Sequence, residues 1–88
     1  MAERAVTIVN KVGLHARPAA QIVKLASQFK SDITLSRDDL EVNGKSIMGV
    51  MMLAAERGAS LRLRAEGPDA EPALDALAKL IADGFGES

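Results

Sequence analysis

The segment Leu61-Arg62-Leu63-Arg64-Ala65-Glu66 alternates apolar and charged residues without a break. A strict period of two puts every apolar side chain on one face of an extended strand and every charge on the other. Such a strand belongs to a sheet with one buried and one wet face, which favours antiparallel pairing with all the helices on a single side. The same one-sidedness recurs elsewhere in the chain. In the short run Ala5-Val6-Thr7-Ile8-Val9, Val6 and Ile8 share a face, and Ile33 with Leu35 alternate against Thr34 and Ser36. After a turn at Arg37-Asp38-Asp39, Leu40 and Val42 alternate with Glu41 and Asn43, so these two runs read as a hairpin.

Between the strands lie segments of helical period. From Ala16 to Phe29, Ala19, Ile22, Val23, Ala26 and Phe29 recur at intervals of three and four, which predicts an amphipathic helix beginning at Ala16 or Pro18. Proline restricts the residue before it, so Arg17 is expected to lean towards extended geometry. Ser46 is placed to cap a second helix from Ile47 to about Arg57, stopped by Gly58. Asp69 can cap a third, whose stripe is Ala70, Ala73, Leu74, Leu77, Leu80 and Ile81 and which Gly84 ends. The element order is therefore βαββαβα, and the pattern calls for a two-layer α/β sandwich, three helices on one face of a four-stranded antiparallel sheet.

Residues 1–88 are read as a single domain with a modest core. Cysteine is absent, so disulfides, thiolate metal sites and a cysteine nucleophile are not available, as a reducing compartment allows. No apolar run approaches the roughly 20 residues of a membrane span, and Met1-Ala2-Glu3-Arg4 leads straight into a strand pattern. A cytoplasmic protein with no membrane insertion is expected. Eleven basic and twelve acidic residues leave almost no net charge, and Phe29 and Phe85 are the whole aromatic complement. Nucleic acid is a poor partner for such a chain, which has neither a basic excess nor stacking platforms.

Chemistry concentrates at Gly13-Leu14-His15-Ala16-Arg17-Pro18, where the single histidine stands between an expected strand and an expected helix. The unpaired N–H groups of a first helical turn, the positive end of the helix dipole and a guanidinium all favour an anion there. Arg17 can hydrogen-bond phosphoryl oxygens bidentately, the N–H groups of Ala16 and Arg17 are candidate oxyanion donors, and Pro18 fixes the first turn. No Walker A loop, paired acidic ligands or second histidine accompanies them, and no metal or cofactor is expected. A nucleophile with an anion cradle suits a phosphoryl carrier better than a stand-alone hydrolase.

This hexapeptide, together with Lys45-Ser46-Ile47-Met48-Gly49-Val50-Met51, resembles the histidine-containing phosphocarrier (HPr) family of the bacterial phosphoenolpyruvate-dependent phosphotransferase system. The likeness covers nearly the whole chain. Ile8-Val9-Asn10-Lys11, Met51-Met52-Leu53-Ala54-Ala55 and Gly84-Phe85-Gly86-Glu87 are also similar to its nitrogen-related branch, NPr. The resemblance implies an open-faced β-sandwich with strand order 1-4-2-3. It implies phosphorylation of His15 through Nδ1 by enzyme I, with Arg17 as charge partner, and transfer to IIA-type proteins. Ser46 matches a serine that an HPr kinase/phosphorylase modifies in some lineages. Residues 47–53 are apolar almost all round, so Val50 and Leu53 are expected to face inward, with Ile47, Met48 and Met51 forming an exposed docking patch beside His15. A monomeric carrier rather than an enzyme is the reading, the alternative being a regulatory interaction module working through Ser46, Ile47 and Met48.

Overall fold

The structure, a computed structural model, describes residues 1–86; Glu87, part of the last motif compared above, lies outside the described residues together with Ser88. Seven principal elements follow in order: β1 (Ala2–Thr7), α1 (Ala16–Ala26), β2 (Asp32–Arg37), β3 (Leu40–Asn43), α2 (Ile47–Met52), β4 (Ser60–Glu66) and α3 (Ala70–Ala82), closed by a 3-10 turn at Gly84–Gly86. The strands form one antiparallel sheet in the order β1-β4-β2-β3, and the helices pack on one side of it.

Register explains the layering. Leu63 of β4 lies opposite Leu35 of β2 on one side and Arg4 of β1 on the other, while Leu35 in turn faces Val42 of β3. This row points at the helices, as do its neighbours Ala65 with Ile33 and Leu61 with Val6. Leu35, Leu61 and Leu63 are buried against Ile22 of α1, Val50 of α2 and Leu74, Leu77 and Ile81 of α3, all within one core. Truncating any of these leucines to alanine costs about 2–5 kcal/mol, because lost transfer energy and a residual cavity add. Two arginines share the apolar face, Arg4 on the edge strand β1 and Arg37 at the end of β2. The Arg4 guanidinium escapes the core by reaching Glu71 at 2.7 Å and Asp75 at 2.8 Å on α3. The opposite face carries Arg62 and Arg64, with Glu41 3.4 Å from Arg64.

Several boundaries differ from the sequence expectation, each for a visible reason. The first strand runs over Ala2–Thr7 rather than from Ala5 to Val9, since pairing with β4 continues to Ala2 opposite Ala65. Ile8 still faces the core, bonded through its N–H to the Ala59 carbonyl at 2.9 Å. Helix α1 stops at Ala26 instead of Phe29, and the last residues wind into tighter turns, Gln28 N–H to Leu25 O and Phe29 N–H to Ala26 O. Arg17 is helical despite Pro18, with α1 starting at Ala16.

Helix α2 ends at Met52, well before Gly58. Ala54 takes a left-handed φ of 48°, and the Arg37 guanidinium holds the freed carbonyls, donating to Ala54 O at 2.9 Å and Leu53 O at 3.3 Å. The hairpin forms where expected, but Arg37 belongs to β2 and lies opposite Leu40, which leaves a two-residue turn of Asp38 and Asp39, with Asp38 at φ 54° where aspartate is tolerated.

Asp69 occupies the N-cap position of α3 but does not cap it. Its carboxylate instead accepts hydrogen bonds from the Ser31 hydroxyl, from Lys30 N–H at 2.8 Å and from Ser31 N–H at 2.9 Å, tying the start of α3 to the entry of β2. These donors, the Ser31 hydroxyl foremost, hold the Asp69 carboxyl well below its ordinary 3.8, at about 2. A carboxyl depressed on folding stabilises the native state above its unfolded value, and the contribution is lost as pH falls through the folded one. Asp69→Asn should therefore lower the urea midpoint at neutral pH, and the gap from the parent should narrow as pH drops from 3.8 towards about 2. Urea titrations of both proteins across that range provide the check.

Candidate functional site

The loop between β1 and α1 carries the predicted motif, and its backbone is held by the segment that follows α2. Leu14 is buried and donates its N–H to the Ala55 carbonyl at 2.8 Å, while Asn10 Nδ2 donates to Gly13 O at 2.8 Å. Gly13 has φ 72°, and a Cβ built there would stand 2.4 Å from Ala55 O and 2.9 Å from the Glu56 Cα. Only glycine brings the two backbones this close.

His15 follows as the N-cap residue of α1, extended at φ −79° and ψ −173°, with its carbonyl accepting the Ala19 N–H at 3.0 Å. The ring does not cap the helix. His15 is exposed beside the first turn, where Ala16 and Arg17 are likewise exposed and Pro18 is buried. No acidic residue sits in that turn to neutralise its positive potential. His15 and Arg17 line one shallow depression of about 460 Å³, shared with Lys11, Val12, Gln21, Phe85 and Gly86.

None of these other lining residues is assigned to the site by the sequence reading. Gln21 had a signal, since it falls one turn after Arg17 on the same helical face. Lys11 and Val12 sit in the loop with no pattern that points to the histidine. Phe85 is buried under the depression with a left-handed φ of 59°, and only its two flanking glycines, Gly84 and Gly86, hinted at an unusual backbone.

Ser46 caps α2 as expected, its hydroxyl accepting Gly49 N–H at 3.1 Å. Val50 and Leu53 are buried, whereas Ile47, Met48 and Met51 are 44%, 77% and 42% exposed. Met52 and Val12 are exposed as well. Among the described residues, no group of three or more His, Cys, Asp or Glu is arranged to hold a metal ion, and no helix is long and apolar enough to cross a membrane.

A family model described as the PTS HPr component phosphorylation site matches residues 2–83. The phosphocarrier protein HPr of Cupriavidus necator is 52% identical over 87 residues, covering 99% of this chain and 98% of the relative. The crystal structure of HPr-C-His from Thermoanaerobacter tengcongensis superposes with a TM-score of 0.96 at 50% identity, covering 100% of this chain and 99% of the other. An HPr dimer from the same organism matches with a TM-score of 0.79 at 50% identity, over 99% of this chain and 100% of that one. Fold and relatives together define a phosphocarrier rather than a catalytic enzyme. The chain belongs to the HPr family of the phosphotransferase system.

The Gly13 contact yields a direct test. Gly13→Ala must place an alanine at a left-handed φ, which costs on the order of 1–3 kcal/mol, and must also push Ala55 away. A lowered melting temperature is expected, with the largest amide shifts in heteronuclear NMR spectra at Leu14, His15 and Ala55.

Proposed function

We propose that this protein accepts a phosphoryl group on His15 from phosphorylated enzyme I and passes it to a IIA-type protein. The observation that carries this reading is the exposed His15 at the N-cap position of α1, in one depression with Arg17. In transfer, a His15 ring nitrogen attacks the phosphorus carried by phosphorylated enzyme I, a new N–P bond forms as the donor's bond to phosphorus breaks, and an attacking group of the acceptor later displaces His15 in the same way. Nδ1 is the attacking atom that the family resemblance assigns. Arg17 neutralises charge on the phosphoryl oxygens, and the first-turn N–H groups of Ala16 and Arg17 donate to them. Pro18, which has no N–H, holds the turn.

In uptake His15 supplies the attacking nitrogen and the donor the leaving group; in delivery His15 supplies the leaving nitrogen and the acceptor the attacking group. Ile47, Met48 and Met51 supply the docking face, an apolar and conformationally adaptable surface that suits successive recognition of enzyme I and IIA proteins. A monomer suffices, since every one of these residues comes from one chain. The protein acts in the cytoplasm, serving sugar uptake or nitrogen-linked regulation. Incubation with purified enzyme I and labelled phosphoenolpyruvate should place an acid-labile, alkali-stable label on His15, and His15→Ala should abolish it while melting as the parent does. Label retained in the alanine variant would overturn the carrier reading.

Ser46 has a second role in this proposal, as a phosphorylation site for an HPr kinase/phosphorylase, and a charge there separates fold from function. Aspartate remains a competent N-cap and adds a carboxylate at the positive end of α2, a gain of roughly 0.3–1 kcal/mol at an exposed helix start. The same charge borders Ile47 and Met48, which a docking partner must desolvate. Ser46→Asp should melt no lower than the parent yet take phosphate from enzyme I more slowly, measured by stopped-time labelling. Undiminished transfer would confine Ser46 to capping and remove the regulatory reading as well.

A further inference from the structure

Arg37 lies at the end of β2, far in sequence from the phosphoryl site, yet its side chain is only 27% exposed. Its guanidinium is committed at both ends. Nη2 donates to Glu56 Oε1 at 2.8 Å and Nη1 to Glu56 Oε2 at 3.2 Å, a two-point pairing of fork and carboxylate. Nη1 also reaches Leu53 O and Ala54 O. The Glu56 carboxyl is accordingly held below its ordinary range, chiefly by the bond from Arg37. The clasp thus spans residues 53 to 56 and closes around Ala54, an alanine in left-handed geometry. A strained alanine persists only where its surroundings over-determine it, and here Arg37 holds the Ala54 carbonyl while the Ala54 N–H bonds to Met51 O at 3.0 Å.

The carbonyl inside this clasp is that of Ala55, and it is the one that accepts the Leu14 N–H. Gly13 packs on the same Ala55 and Glu56 backbone. Leu14 is buried and immediately precedes His15, whose own N–H bonds back to Gly13 O at 3.0 Å. A continuous chain of contacts therefore runs from the guanidinium through residues 53–56 to the residue before the imidazole.

We propose that Arg37 is a positioning residue for His15: by clasping Leu53, Ala54 and Glu56 it fixes the Ala55 carbonyl that anchors Leu14, and so sets where the imidazole stands at the start of α1. This rests on the reading of His15 as the phosphoryl acceptor. A bland alternative is that Arg37 merely satisfies carbonyls left at the end of α2. The two differ in reach. Capping alone would alter stability and leave the Leu14 anchor and the transfer step untouched.

Arg37→Met keeps the aliphatic stem and removes the fork. In the full chain, amide hydrogen exchange at Leu14 should accelerate by about tenfold or more as the anchor opens locally, while Leu35 and Leu63 in the sheet keep their protection. Single-turnover uptake of labelled phosphate from enzyme I should slow several-fold at saturating donor, with the half-saturating concentration little changed. Arg37→Lys should fail to rescue either readout, since a point charge cannot bridge two carbonyls and a carboxylate together. Glu56→Gln, an exposed change that leaves the fold intact, should move both readouts in the same direction by less.

Unchanged Leu14 exchange in a folded Arg37→Met protein overturns the proposal, and so does faster exchange with undiminished uptake. Should Arg37→Met not fold, parental Leu14 exchange in Glu56→Gln overturns it instead. If the parent itself takes no label on His15, the carrier reading fails, while the exchange data still decide whether Arg37 anchors Leu14.

Discussion

Strand β4 is hydrogen-bonded on both edges, to β1 and to β2, and its register decides which side chains of three strands face the helices. Shifting β4 by one residue would turn Leu61, Leu63 and Ala65 to solvent and bring Arg62 and Arg64 into the core. Burying those charges without partners would cost far more than the sheet could recover. The alternation in β4 therefore constrains the sheet, and the sheet constrains where each helix can lie. Helix α1, at whose start the proposed phosphoryl site lies, is oriented by Ile22 and Ala26 in that same core.

Around this apolar layer, polar side chains join elements that hydrophobic contact leaves loosely oriented. Asp69 fastens the start of α3 to the entry of β2, and Arg4 fastens the middle of β1 to the flank of α3. Arg37 fastens the end of α2 to the end of β2. In each case a charged group bonds several partners at once, so direction as well as distance is specified. The loop bearing His15 is held in this way on one side, through Ala55, and by the core on the other, through Leu14.

Much of this was legible beforehand because it rests on local periodicity. The strand faces, the helical stripes, the capping of α2 by Ser46, and the division of α2 into buried Val50 and Leu53 and exposed Ile47, Met48 and Met51 all follow from spacing. What was not legible depends on partners remote in sequence. Nothing near Leu53 announces that α2 stops there, because the group that takes its carbonyl is Arg37 across the hairpin. Likewise Asp69 has the local credentials of a cap, and only the arrival of Lys30 and Ser31 diverts its carboxylate. The depression around His15 is partly floored by Phe85, at the opposite end of the chain, which no motif near residue 15 could reveal.

Pairing of β1 with β4 carries a consequence for the order in which the molecule can be made. Thr7 meets Ser60 and Ala2 meets Ala65, so the first strand has no partner until the chain has been synthesised through the fourth. Contacts of such sequence separation form late, after the loop-closure entropy between them has been overcome. The Ala55 carbonyl that anchors Leu14 is equally remote from the loop it serves. A nascent chain that already contains the whole hexapeptide around His15 therefore holds the chemistry without the geometry, and the imidazole takes its place only when nearly the entire polypeptide has folded around it.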